Sequence, residues 1–165
     1  TVGKPKYAAV EAESWQVIEE GEALRTRLTE AIQRDAEAFN GILAARRMPK
    51  GDEAQIAARK EAVRAASLYA AHVPIETARD SVAVLRLTLR MAEIGNLNCI
   101  SDAAAGAHLA KAGFEAACLN VKINLKGYEQ DPEAQAFLAE VDSLHAEVES
   151  LMVSLESILK ERAGL

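Results

Sequence analysis

Apolar residues recur along this chain at alternating spacings of four and three, and nowhere alternate one by one with polar residues for long, so the pattern predicts helices and no sheet. Five segments carry it: about Pro5 to Arg47, Asp52 to about Ala71, about Ile75 to Ile94, Asp102 to Leu125, and about Pro132 to Arg162. The breaks between them are chemically marked. Met48-Pro49-Lys50-Gly51-Asp52 combines a proline, a glycine and a capping aspartate, and Asp131-Pro132 sets a cap beside a proline suited to the first helical position. Val73-Pro74 is a weaker break, because a proline there either ends a helix or kinks one that continues.

Within the last segment Phe137, Val141, Leu144, Val148, Leu151, Leu155 and Ile158 form the seam of left-handed helix packing. The third repeats it with Ile75, Ala78, Val82, Leu85, Leu89 and Ala92. Val84, Leu87 and Met91 cover more of its circumference, which gives it a central place in a bundle. The first helix, roughly 60 Å long if unbroken at 1.5 Å per residue, exceeds what a compact monomer of this size needs, and a two-fold dimer is the default expectation.

Composition narrows the picture further. The chain has 165 residues, half of them apolar and 27% charged, enough for one domain that buries its own core without a staple. Alanine supplies 33 residues and aromatics 4%, which favours helices packed closely on small side chains. The net charge of -6 argues against a nucleic-acid or anionic-membrane partner, since both need a basic field. Arg86 and Arg90 interrupt the most apolar run, and no signal peptide is read at the start, so the chain is expected in the cytoplasm. Cys99 and Cys118 form no CxxC pair, and His72, His108 and His145 complete no ligand spacing, so no metal site and reduced thiols are expected.

Three departures from the apolar pattern carry candidate chemistry. Asp35 falls on the stripe of Leu24, Leu28, Ala31, Ala38 and Ile42, where it is either a buried carboxylate paired with a cation or backbone end, or a site residue with a raised pKa. Phe39, one turn on, is core or a stacking surface. The small residues Gly106, Ala110, Gly113 and Ala117 lead in the same register to Asn120 and Asn124. They either permit close helix contact, with Asn124 as an end cap, or line a ligand with amide donors and acceptors. The polar loop Gly95 to Asp102 brings Asn96, Asn98, Ser101 and Asp102 to a helix start, as an N-cap or as a site wall. Arg46, Arg47 and Lys50, and Lys4 with Lys6, are solvated charges or the seat of an anionic tail.

These residues also carry a resemblance. Thr1 to Tyr7 (TVGKPKY), Asp35 to Phe39 (DAEAF), Met48-Pro49-Lys50, Val73-Pro74-Ile75, Gly95 to Asp102 (GNLNCISD) and Leu119 to Leu125 (LNVKINL) together resemble the cyclodeaminase/cyclohydrolase family of tetrahydrofolate enzymes. No single stretch is specific; the ordered set is. The resemblance implies an all-helical dimer acting on a tetrahydrofolate derivative, with no tightly bound cofactor. It also implies a further glycine-rich family segment upstream of Thr1. Hydrolysis of 5,10-methenyltetrahydrofolate is the expected reaction, with formimidoyltetrahydrofolate cyclodeamination as the alternative and a non-catalytic folate-binding or dimerisation module after that. Asp102 and Asp35 are the expected acid and base, because a carboxylate stabilises the cationic one-carbon bridge and takes a proton from water. Ser101, Asn96, Asn98, Asn120, Asn124, Phe39 and Lys4 are the expected substrate contacts, with Lys6 or Lys122 as other partners for a glutamate tail.

Overall fold

A proline in the middle of a helix leaves one carbonyl without its donor, and the architecture here is arranged around that vacancy. The computed structural model describes residues 1–165 and holds four α-helices and two short 3-10 turns, with no strand. The helices are α1 (Glu11–Arg46), α2 (Glu53–Ile94), α3 (Ile100–Asn124) and α4 (Pro132–Ala163), with 3-10 turns at Pro5–Val10 and Leu97–Cys99.

The all-α reading holds, but the second and third expected segments are one helix of 42 residues that runs through Pro74. Pro74 lacks the N–H that would donate to Ala70, and that carbonyl instead accepts a hydrogen bond from the Asn124 side-chain amide of α3 at 2.9 Å. The site is buried among Ala70, Ala71, Val73 and Ile75, so an empty acceptor there would be costly. Elsewhere the expected punctuation stands. Asp52 accepts from the Gln55 N–H at 2.8 Å and Asp131 from the Glu133 N–H at 3.0 Å, with Pro132 in the first turn of α4. Gly164 closes α4 in the left-handed conformation at φ 67°. The first helix proper starts at Glu11, because Pro5–Val10 winds as a 3-10 turn with non-helical angles at Tyr7.

α2 is the central element and packs on each of the other three helices. Ion pairs give the directions. Arg27 with Asp80, Arg34 with Glu76 and Arg90 with Glu13 run α1 antiparallel to α2, whereas Arg79 with Glu140 and Arg86 with Glu147 run α4 parallel to it. Glycines bring α3 close: a Cβ on Gly106 would lie 3.1 Å from Thr88 Cγ2, and one on Gly113 3.5 Å from Ser81 Oγ. The main core joins Ile75, Val82 and Leu85 of α2 to Phe114 and Val121 of α3 and to Val141, Val148 and Leu155 of α4. A smaller cluster of Ala31, Ala38, Ile42, Ala70 and Val73 holds α1 on α2. α1 leans on α2 rather than on α3, so a groove stays open between α1 and α3.

Two predictions follow from these contacts. Asn124→Ala should lower unfolding free energy by about 1–3 kcal/mol, and much less in a Pro74→Ala background, where residue 74 regains its own donor; additive losses in a urea double-mutant cycle would refute the substitution of donors. The Arg79 hydrogen bond holds the Glu140 carboxyl below its usual 4.5 despite partial burial. A depressed carboxylate adds stability that is complete above pH 4.5 and lost as pH falls through the lower folded value. Glu140→Gln should therefore flatten the acid limb of a pH–stability profile and leave its neutral region nearly level.

Candidate functional site

The groove between α1 and α3 deepens at one end into a cleft of about 450 Å³, within the range of small-molecule sites. α1 contributes Asp35, Phe39, Ile42 and Arg46, one turn apart along a single face; α3 contributes Asn120, Ile123 and Asn124; Ala70 of α2 forms the floor. A shallower continuation follows the groove past Leu28, Pro74 and Gly113, and Asp35 and Asn120 border both parts.

Asp35 is exposed, which corrects the expectation that it is buried on the stripe. The buried positions of α1 are Ser14, Leu24, Ala31, Ala38, Ile42 and Ala45, and contact with α2 alone gives a narrower buried face than the spacing implies. Residue 35 lies on its shoulder, and its carboxylate enters no ion pair, so the structure also rejects the buried-pair alternative. Phe39, 54% exposed, presents a ring at the cleft edge rather than in the core. Asn120 donates to the Ala116 carbonyl at 3.3 Å, leaving its amide oxygen and one N–H for the cleft. Asn124 is the last helical residue of α3, whose C-cap is Leu125, and its side chain serves α2. Sequence reasoning took Arg46 only as part of a charged cluster. Its position seven residues after Phe39, on the face of Asp35, was the available signal.

The other expected residues gather at the opposite end of α3, where both chain termini grip the Gly95 to Asp102 loop. The Asn96 N–H donates to Thr1 Oγ1 at 2.9 Å, and Asn96 Oδ1 accepts from the Tyr7 hydroxyl at 3.2 Å and from the Asn98 N–H at 3.1 Å. Arg162 of α4 donates to the carbonyls of Ala92 and Gly95. Lys4, Asn98, Ser101 and Asp102 are exposed around this knot. The capping alternative for Ser101 and Asp102 fails: Cys99 is the N-cap, no side chain caps it, and both residues lie in the first turn of α3. Asp102 thus offers a free carboxylate at the positive end of a helix.

The structure therefore brings Asp35, Phe39, Asn120 and Asn124 together, and separately Lys4, Asn96, Asn98, Ser101 and Asp102. Eighteen residues of straight helix, about 27 Å at 1.5 Å per residue, part Asp102 from Asn120 within one copy. No three His, Cys, Asp or Glu side chains approach closely enough to hold a metal ion. Cys99 is exposed, while burial pushes the Cys118 thiol up to about 11.

Comparison with known proteins matches residues 1–143 to the family model for formiminotransferase-cyclodeaminase. A methenyltetrahydrofolate cyclohydrolase of Methylorubrum extorquens is 40% identical over 146 residues, 88% of this chain and 70% of that one. The formimidoyltransferase-cyclodeaminase of Sus scrofa is 30% identical over 141 residues, and this chain spans only 25% of its length. The crystal structure of formiminotetrahydrofolate cyclodeaminase from Thermotoga maritima superposes with a TM-score of 0.83 at 28% identity, covering 96% of this chain and 75% of that one.

The loop geometry makes its own prediction. A Cβ at Gly95 would sit 2.5 Å from the Met91 carbonyl oxygen, so Gly95→Ala should displace the loop. Amide hydrogen exchange at residues 96 to 102 should rise about tenfold or more while the α2–α4 core stays protected. Unchanged exchange would show that the loop does not depend on that close approach.

Proposed function

The chain belongs to the formiminotransferase-cyclodeaminase family, and from that premise we propose that it hydrolyses 5,10-methenyltetrahydrofolate to 10-formyltetrahydrofolate. The observation that carries this reading is the α1/α3 cleft, where an unpaired carboxylate, an aromatic ring, amides and a guanidinium share one small-molecule-sized space.

In this reaction water adds to the cationic carbon that bridges two folate nitrogens, and the adduct loses both water protons, one to the nitrogen whose bond to that carbon breaks and one to solvent. The net products are the formyl compound and one proton. A carboxylate beside the bridge favours the cation electrostatically, accepts the proton from water and returns it to the departing nitrogen. Asp35 and Asp102 are the groups proposed for this work. Phe39 supplies a face for the pterin ring, and Asn120 and Asn124 supply donors and acceptors for its edge. Asn96, Asn98 and Ser101 are proposed as further polar contacts beside Asp102. Arg46 and Lys4 are suited to carboxylates of the glutamate tail. The enzyme is proposed to work as a cytoplasmic homodimer with the described residues as one helical unit, and no helix is long and apolar enough to cross a membrane.

Cyclodeamination is the second reading, favoured by the likeness to the formiminotetrahydrofolate cyclodeaminase of Thermotoga maritima. There a folate nitrogen attacks the formimino carbon and ammonia leaves after protonation, which the same carboxylates would serve.

Loss of methenyltetrahydrofolate absorbance should accelerate in proportion to added protein, and Asp35→Asn or Asn120→Ala should each lower kcat/KM by about 10²-fold. Arg46→Ala should raise KM for polyglutamylated substrate more than for the monoglutamate. Acceleration of ammonia release from formimidoyltetrahydrofolate alone would transfer the assignment to the deaminase, and full turnover by Asp35→Asn would remove that residue from the chemistry.

A further inference from the structure

Pro74 stands in the buried middle of α2, where a helix tolerates proline least, and any residue with an N–H would serve the continuity of that helix better. What the proline supplies is an open acceptor at the cleft. Ala70, whose carbonyl it leaves without a backbone donor, is the cleft floor, and Asn124, which fills the vacancy, belongs to the α3 wall.

We propose that Pro74 is a positioning residue for substrate: by leaving the Ala70 carbonyl open it holds the Asn124 amide in one orientation, with the amide oxygen turned to the ligand, so that the α3 wall receives a ligand N–H or amino group there. This rests on the folate reading of the cleft and adds what fixes the polarity of one of its contacts.

A side-chain amide has an oxygen end that only accepts and a nitrogen end that only donates, and rotation about its last bond exchanges the two. A carbonyl only accepts. Bonded to Ala70 at 2.9 Å, Asn124 must therefore point its nitrogen at α2, and its oxygen, which accepts from no group of the chain, is left for the cleft beside the second N–H. Turning the amide over would set two oxygens face to face and leave a carbonyl without a partner in residue 70, which is 2% exposed. The nearby Val73 carbonyl offers no other seat, because it already takes the Thr77 hydroxyl at 3.0 Å in addition to its helical donor.

Asn120, one turn earlier on the same wall, is the contrast. It donates at 3.3 Å to the Ala116 carbonyl, which lies four residues back in the same helix and has its own backbone donor, so little opposes turning that amide over. One amide of the cleft is adaptable and the other is fixed. The groups of a pterin edge that suit a fixed acceptor are the ring amino group and the N–H beside it.

Stability and substrate binding are then opposed at position 74, which gives the test its sign. Pro74→Ala returns an N–H to Ala70 and releases Asn124. Its helix content and unfolding midpoint should be kept or raised, while KM for 5,10-methenyltetrahydrofolate rises about tenfold with kcat within about twofold of wild type. Pro74→Val, which keeps most of the ring's volume and also restores the N–H, should behave alike and separates the donor from the packing. Added to Asn124→Ala, Pro74→Ala should raise KM no further. A competitive analogue with hydrogen in place of the pterin amino group should bind wild type about tenfold more weakly than its amino parent, and Pro74→Ala should discriminate much less between them. Without substrate, the NMR order parameter of the Asn124 side-chain N–H group should fall in Pro74→Ala. An unchanged KM in Pro74→Ala and Pro74→Val, or an effect that adds in full to that of Asn124→Ala, overturns the proposal and leaves the folate reading intact. Equal order parameters in the two proteins overturn the lock. A wild-type chain without turnover of either folate overturns the folate reading, and the substrate role of Pro74 with it, even where the order parameter falls.

Discussion

One hydrogen bond, from the Asn124 side chain to the Ala70 carbonyl, lets the longest helix of this protein pass through a proline without leaving a buried acceptor empty. The constraint is local, but its reach is long. It fixes the C-terminal turn of α3 against the middle of α2, and that contact sets one wall and the floor of the cleft. Because α2 touches all three other helices, breaking it at Pro74 would part Ala70 and Val73, which hold α1's small cluster, from Ile75, Val82 and Leu85 of the larger core. A glycine or alanine at position 74 would have given the same helix without this dependence. The proline makes an amide at position 124 part of the fold as well as of the proposed site.

The helical class, the breaks at Met48 to Asp52 and Asp131-Pro132, and the central place of the segment around Val82 were legible because each rests on local chemistry or on a sustained period. The continuity of α2 was not, since the donor that rescues Ala70 lies 54 residues away. Asp35 shows a different limit. Spacing assigns a side of the helix, but the width of the buried face depends on how many neighbours a helix has, and α1 has one principal neighbour where the stripe implied enclosure. The loop residues were legible as a polar cluster at a helix start. That they lie far from Asn120 along α3 was already contained in the numbering, and it took a nearly straight helix to give the separation its meaning.

The surface pairs that define helix directions add little individually, of order 0–1 kcal/mol each when exposed. Their regularity along α2 serves another purpose. Arg79 and Arg86, one heptad apart, meet Glu140 and Glu147, one heptad apart, so a slip of α4 by one turn would lose both pairs together. Apolar seams of Ala, Val and Leu tolerate such slips more readily, and the charges hold the register that the core leaves permissive.

The knot around Gly95 joins segments that the chain makes at very different times. Thr1 and Tyr7 bond Asn96 across 95 and 89 residues, and Arg162 reaches back 67 to Gly95, whereas the helix interiors form from neighbours only. Contacts of such separation bear the greatest loop-closure entropy and are expected to form last. During synthesis the loop that presents Asp102 therefore stays unlatched until α4 has emerged and docked. A chain interrupted before that point would be largely helical and yet lack a positioned carboxylate, so maturation of the site marks completion of the fold.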